Sequence, residues 1–216
     1  VLGNTDITSD QFVPLACIEN DPYLFVVSKD APYQTFEEFV EYAKAHPGEI
    51  TVADTGAGAA PHLGYLALVQ DLGLDLKTVA YDSAADSVVA VVSGEVQAAI
   101  TASGAAVGQM DGGNIVPLAV TSNERLSTYP DVPAMGELYT ELADMQVNSW
   151  IMVAVKADVD PEIVSFLQSA FAPAAVSDTY KTTQEGFFFQ PVEEMSNEDM
   201  LNFVAEQHSY YESLLK

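Results

Sequence analysis

The sequence predicts an α/β fold built on a parallel, doubly wound sheet. Two observations carry this: short apolar runs of strand type alternate with amphipathic helical stretches from about residue 22 to 121, and turn residues separate them. A third bounds the size, since 216 residues with 49% hydrophobic content suffice for one large domain or two small ones around a real core.

The elements follow in order. YLFVVS, residues 23 to 28, is a compact run of aromatic and β-branched residues, read as a buried strand ended by the turn-prone KDAPY. Thr35-Phe36-Glu37-Glu38 is a capping box, and Phe36, Phe39, Val40 and Ala43 recur at helical spacing until His46-Pro47-Gly48 stops them. ITVAD is the next strand. A helix over about 61–72 presents Leu63, Leu66, Ala67 and Val69; TVAYD is a strand; SAADSVVAVVSG is a helix closed by Gly94; QAAITA, 97–102, is a strand. A small-residue helix, SGAAVGQM, and the turn DGGN lead to IVPLAVTS, whose proline suits an edge strand or a strand end.

Beyond this point the pattern changes. SNERLSTYPDVPAMGELY is a proline-punctuated connection with a short helix near its end, and NSWIMVAVKADV is another strand. DPEIVSFLQSAFAPA fits a helix with Pro161 in its first turn, FFFQPV a short strand, and SNEDMLNFVAEQHSYYESLL a terminal helix capped by Ser196. There is no internal repeat.

Charge excludes one class of partner. Seven Lys and Arg against 32 Asp and Glu give a net charge of −25, a field that repels nucleic acid and anionic membrane surfaces. The lone cysteine, Cys17, lies in the apolar run FVPLACI and reads as a buried thiol. No apolar run approaches the ~18 residues needed to span a bilayer, and VLGNTDITSD lacks the charged start and apolar core of a signal peptide, so a mature or trimmed chain is expected.

The chemistry is concentrated at strand ends. Gly56-Ala57-Gly58-Ala59-Ala60-Pro61 follows a strand and opens a helix, the context of a dinucleotide turn, with Asp82 ending the next strand where a ribose-binding acid would sit. Pro61 in place of the third glycine counts against that reading. A helix N-terminus with free amides attracts any anion, and Thr55 adds a hydroxyl donor; alternatively, the small residues merely permit tight strand-to-helix packing. His62, on the first turn, is a candidate ligand-facing imidazole or a structural cap. Tyr81-Asp82-Ser83 and Ser103-Gly104 follow two further strands and should flank the turn in a parallel sheet. Ser103 lacks the GxSxG elbow of a nucleophile, no metal-ligand spacing occurs, and Trp150 reads as core. No cofactor is expected.

From about residue 12 onward the chain resembles the solute-binding proteins of tripartite tricarboxylate transporters, the Bug receptor family. AVTSNERLSTYPDVPAMGE, 119 to 137, is similar to the family's AVTS, Arg, PDVP and Glu pattern; TFEEFVEYAKAHPGEI, YDSAADSVVAVVSGEVQAAI and WIMVAVKADVDPEIVSFL match in order and spacing. The resemblance implies a type II periplasmic binding protein, not an enzyme, that holds a small carboxylate between two lobes and delivers it to a membrane permease. It implies residues 1–21 as an inter-lobe segment, 22–121 as one complete doubly wound lobe, and 122–216 as a crossover with the C-terminal part of the other lobe.

The ligand set so implied is Thr55, Gly56, Ala57, Gly58, Ala59, Ala60 and His62, with Tyr81, Asp82, Ser83, Ser103 and Gly104. Three departures bear on it. Ala59 and Ala60 stand where the family commonly has a serine, the family's PGG-type turn has no counterpart, and Tyr81-Asp82-Ser83 replaces the family's frequent Tyr-Lys-Gly. An acid at 82 disfavours a multiply charged anion such as citrate and favours a monocarboxylate or an amino acid whose ammonium faces it. The family carries roughly a hundred further residues ahead of the matching region, a little under a domain. Their lack would expose apolar surface and promote self-association. A nucleotide-dependent α/β enzyme using the 56–61 turn is the alternative.

Overall fold

A computed structural model of the chain describes residues 6–215. The chain forms two compact units: one is Pro22–Asn148, and the other combines the residues up to Asp21 with Ser149–Leu214.

The first unit is a five-stranded sheet between helices. Its strands are β2 (Leu24–Ser28), β3 (Thr51–Asp54), β4 (Lys77–Ala80), β5 (Ala98–Thr101) and β6 (Ile115–Val120), in the order β4-β3-β5-β2-β6; a longer strand, β1 (Phe12–Pro22), belongs to the other unit. β3 pairs in parallel with β4 and β5, but β2 runs antiparallel to both β5 and β6. The wholly parallel sheet expected from the sequence is therefore a mixed one. The run LFVVS is buried on both faces, and a strand buried on both faces reads the same whichever way it runs. Pro117 does lie on an edge strand, β6, where its missing donor costs least.

Helices α1 (Phe36–Ala45), α2 (Ala60–Asp71), α3 (Ala84–Ser93) and α4 (Ser103–Asp111) cover the sheet. Alternation along β2 separates the faces. Leu24 and Val26 join Val88 and Val91 of α3 and Ala106 of α4 in one cluster, while Phe25 meets Phe36 and Phe39 of α1, with ring centroids 5.5 and 4.6 Å away. Gly64 of α2 lies against Ile100, also on the second face. The capping box at Thr35 and Glu38 is present, and Gly94 ends α3 at φ 78°.

Residues 122–148, assigned from sequence to the crossover, pack with this unit. Leu126, Val132 and Ala134 are buried in the same cluster as β2 and β5, and Ala134 bridges Val120. Proline punctuation signals a connection but says nothing of what it covers. Arg125 donates to Glu137 Oε2 at 2.8 Å and to the Pro130 carbonyl at 3.1 Å, stapling the segment ahead of α5 (Met135–Leu138).

The second unit pairs β1 with β7 (Asn148–Lys156) and adds α6 (Pro161–Ala175), α7 (Asp178–Gly186) and α8 (Asn197–Leu214). The inter-lobe segment expected before residue 22 thus contains a strand, and α7, a polar helix without an apolar stripe, was not legible. FFFQPV is not a strand: Phe187 caps α7, and Phe188 takes a positive φ of 63° that breaks an extended run. Ser196 caps α8 as expected, accepting from the Asp199 amide at 3.1 Å. Cys17 is buried and its thiol donates to the Glu19 carbonyl. Burial is the main cause that raises its pKa.

Candidate functional site

β3, β4 and β5 are parallel neighbours, so the loops leaving their C-terminal ends emerge at one edge of the sheet. These loops carry the residues singled out from sequence: 55–62 after β3, 81–83 after β4, and 102–104 after β5.

The first loop is a tight turn. Gly56 and Gly58 adopt φ of 103° and 82°, conformations open to glycine at no steric cost, and the Ala59 amide donates to the Gly56 carbonyl at 3.0 Å. Ala60 and Pro61 open α2, where proline's missing N–H is one no helix would use. The amides of Ala57, Gly58, Ala60 and His62 meet no protein acceptor among the described residues, and the Thr55 hydroxyl meets no protein partner there. The turn therefore offers a set of unengaged donors at the positive end of a twelve-residue helix.

Asp54, the last residue of β3, organises the turn. Its side chain is 1% exposed, and it accepts the Gly56 amide on Oδ1 at 2.8 Å and both the Thr78 hydroxyl and His62 Nδ1 on Oδ2 at 2.6 Å. Its carbonyl accepts the Tyr81 amide at 2.9 Å, tying the 81–83 loop to the same residue. The sequence reading missed Asp54 and Thr78. A carboxylate closing an apolar strand directly before the glycines was the available signal.

The other predicted residues divide. Ser83 caps α3, accepting the Asp86 amide at 3.1 Å and donating to its carboxylate at 2.6 Å, so its hydroxyl is committed. Tyr81 packs on the cluster beneath α3, and its buried hydroxyl meets no hydrogen-bond partner among the described residues; burial is the main cause that raises its phenol pKa. Asp82 and Gly104 are exposed, whereas Ser103 is fully buried at the start of α4. Thr101, ending β5, is fully buried with a hydroxyl that meets no protein partner among the described residues. Tyr65, whose ring lies 5.6 Å from that of His62, donates to the Leu76 carbonyl at 2.9 Å. Its pKa is raised by burial, then by Asp54 and Asp75.

Elsewhere, His46 is half-buried and stacked on Tyr42. Among the described residues no group of three or more His, Cys, Asp or Glu converges as a metal site would need. The second unit holds an apolar groove of about 400 Å³ lined by Phe12, Trp150, Met152, Leu201, Val204 and Ala205. Trp150 is half-buried on its wall, edge-on to Phe203 at 5.6 Å, and so is only partly the core residue expected.

A mixed α/β unit with an anion-type turn at its strand ends has the architecture of periplasmic solute-binding proteins. The chain belongs to the tripartite tricarboxylate transporter family receptors, whose model matches residues 6–216. It is similar to a UPF0065 protein of Bordetella pertussis, 26% identical over 204 residues, covering 94% of this chain and 62% of that protein. The chain thus spans under two thirds of that relative's length. A TctC solute-binding protein from Polaromonas superposes with a TM-score of 0.87 at 26% identity, over 99% of this chain and 72% of the other. MatC from Rhodopseudomonas palustris, solved with bound malate, shares the fold with a TM-score of 0.79 at 23% identity, covering 100% and 74%.

Proposed function

We propose that the chain is the capturing part of a periplasmic solute-binding protein that takes a small carboxylate and hands it to the permease subunits of a tripartite tricarboxylate-type transporter. The observation that carries this reading is the turn after β3, where four amides and the Thr55 hydroxyl stand without protein partners over a helix N-terminus. Thr55, the 56–60 backbone and His62 hold the carboxylate. Tyr81, Ser83 and Ser103 shape the surrounding wall rather than donate to the ligand, since one packs on the cluster beneath α3, one caps α3 and one is buried. Gly104 permits close approach, and exposed Asp82 selects a monocarboxylate or an amino acid whose ammonium faces it.

The malate in MatC supports the carboxylate class for a relative of the same fold. Pro61 at the third glycine position weighs against the nucleotide-dependent enzyme. Self-association through the apolar surface of the second unit, which includes Phe12, Ile151 and Leu201, completes the list of partners. Thermal shift tests the ligand class: lactate or aspartate should raise the melting temperature, while NAD and ATP should leave it unchanged. Stabilisation by nucleotide alone would favour the enzyme, and tight citrate binding without an amino-acid response would remove the role given to Asp82.

A further inference from the structure

The Asp54 network fixes more than the shape of the turn. Its Oδ2 accepts the Thr78 hydroxyl and also lies 2.6 Å from His62 Nδ1. An ionised carboxylate has no proton to give, so Nδ1 must carry one. In its neutral form His62 is therefore held with the proton on Nδ1 and a lone pair on Nε2. Nε2 meets no protein partner among the described residues, and the side chain is 18% exposed.

A lone pair offers nothing to an anionic ligand, whereas an imidazolium offers an N–H. Two effects oppose each other at the ring. The N-terminus of α2 disfavours a positive charge there, and the Asp54 carboxylate favours it. A second carboxylate arriving at the turn tips that balance. The groups that reach the ring are few. β3 supplies Asp54, β4 supplies Thr78 to that carboxylate, and α2 supplies Tyr65, which senses both Asp54 and Asp75. The loop after β4 packs Tyr81 on the cluster beneath α3 and leaves Asp82 in solvent.

We infer that Asp54 is a positioning residue that makes carboxylate capture at this turn proton-linked. It holds His62 with Nδ1 protonated, so that a proton from solvent adds at Nε2 as the ligand binds. This rests on the carboxylate reading of the turn, and two measurements separate the two ideas.

The first needs no ligand. Long-range proton–nitrogen correlation spectra of the histidine-labelled chain, assigned with His62→Gln, should show neutral His62 as the Nδ1–H tautomer, and Asp54→Asn should lose that preference. A neutral Nε2–H tautomer in the unsubstituted chain overturns the inference. The second uses aspartate and lactate as probes, by calorimetry in buffers of different ionisation enthalpy. Uptake approaching one proton is expected, with affinity falling by up to about tenfold per pH unit as pH rises. His62→Gln should bind weakly with a flat profile. Binding by the unsubstituted chain with no proton uptake and a flat profile overturns the linkage. If neither aspartate nor lactate gives heat at any pH tested, the carboxylate reading falls and the linkage with it, while the tautomer spectrum still decides the role of Asp54.

Discussion

Thr78 and Asp54 sit on adjacent parallel strands, and the Thr78 hydroxyl reaches the carboxylate that shapes the glycine turn, Oγ1 to Oδ2 at 2.6 Å. Thr78→Val keeps the volume and removes the donor, leaving a buried charge one partner short. The expected cost is about 1–3 kcal/mol. Far-UV circular dichroism should follow the loss, because the sole tryptophan, Trp150, belongs to the other unit and reports on that one. An unchanged transition would mean that His62 and the Gly56 amide satisfy Asp54 alone.

Gly136 and Gly64 make a matched pair of opposite expectation. A Cβ on Gly136 would fall 2.8 Å from Asn123 Cα and 3.1 Å from the Leu142 carbonyl oxygen, and backbone cannot give way without moving the 122–148 segment. Gly136→Ala should destabilise by about 2–3 kcal/mol. On Gly64 the closest atom is Ile100 Cδ1 at 3.0 Å, the tip of a side chain. There the gain in helix propensity, about 0.5–1 kcal/mol, offsets part of the repacking, so Gly64→Ala should stay within about 1 kcal/mol of the unsubstituted chain. Chemical denaturation of both variants checks the order, and the reverse order would contradict the geometry.

What the sequence made legible follows from what periodicity encodes. Burial leaves a pattern, so β2 to β6 and α1 to α4 fall where apolar spacing puts them, and the capping signals at Thr35, Gly94 and Ser196 mark real ends. Direction leaves none, which is why the antiparallel β2 went unseen. Polar α7 carries no apolar stripe, and the aromatic run at 187–189 has strand propensity that the positive φ of Phe188 overrides. At the site, the glycine turn was visible because glycine spacing is local. The bond from Thr78 to Asp54 spans 24 residues and appears only once β3 and β4 pair.

Tyr33 gives an alkaline signature. It is 2% exposed between Phe39 and Tyr42, and burial, with a smaller contribution from Tyr42, pushes its phenol up to about 12. The fold favours the neutral phenol, so this contribution to stability is complete below the ordinary tyrosine value of 10.0 and is lost as pH rises towards about 12. Phenolate absorbance should show a late step that Tyr33→Phe removes. The same variant should lose less stability across that interval than the unsubstituted chain. Identical titration curves would place Tyr33 in a wetter environment than its neighbours imply.

Phe166 tests the association proposed for the second unit. It is 70% exposed on α6, near Ile163 at 52%, so Phe166→Ser removes apolar surface that the monomer does not bury. Stability should change by no more than about 0.5 kcal/mol, as for other surface substitutions. Self-association should weaken. The net charge of −25 opposes contact between copies, and that repulsion is screened over about 10 Å at 0.1 M salt. Sedimentation velocity should therefore find more dimer as salt rises, and less in Phe166→Ser at every salt concentration. An assembly that dissociates with added salt would be held by charge, and the apolar surface of this unit would then have no part in it.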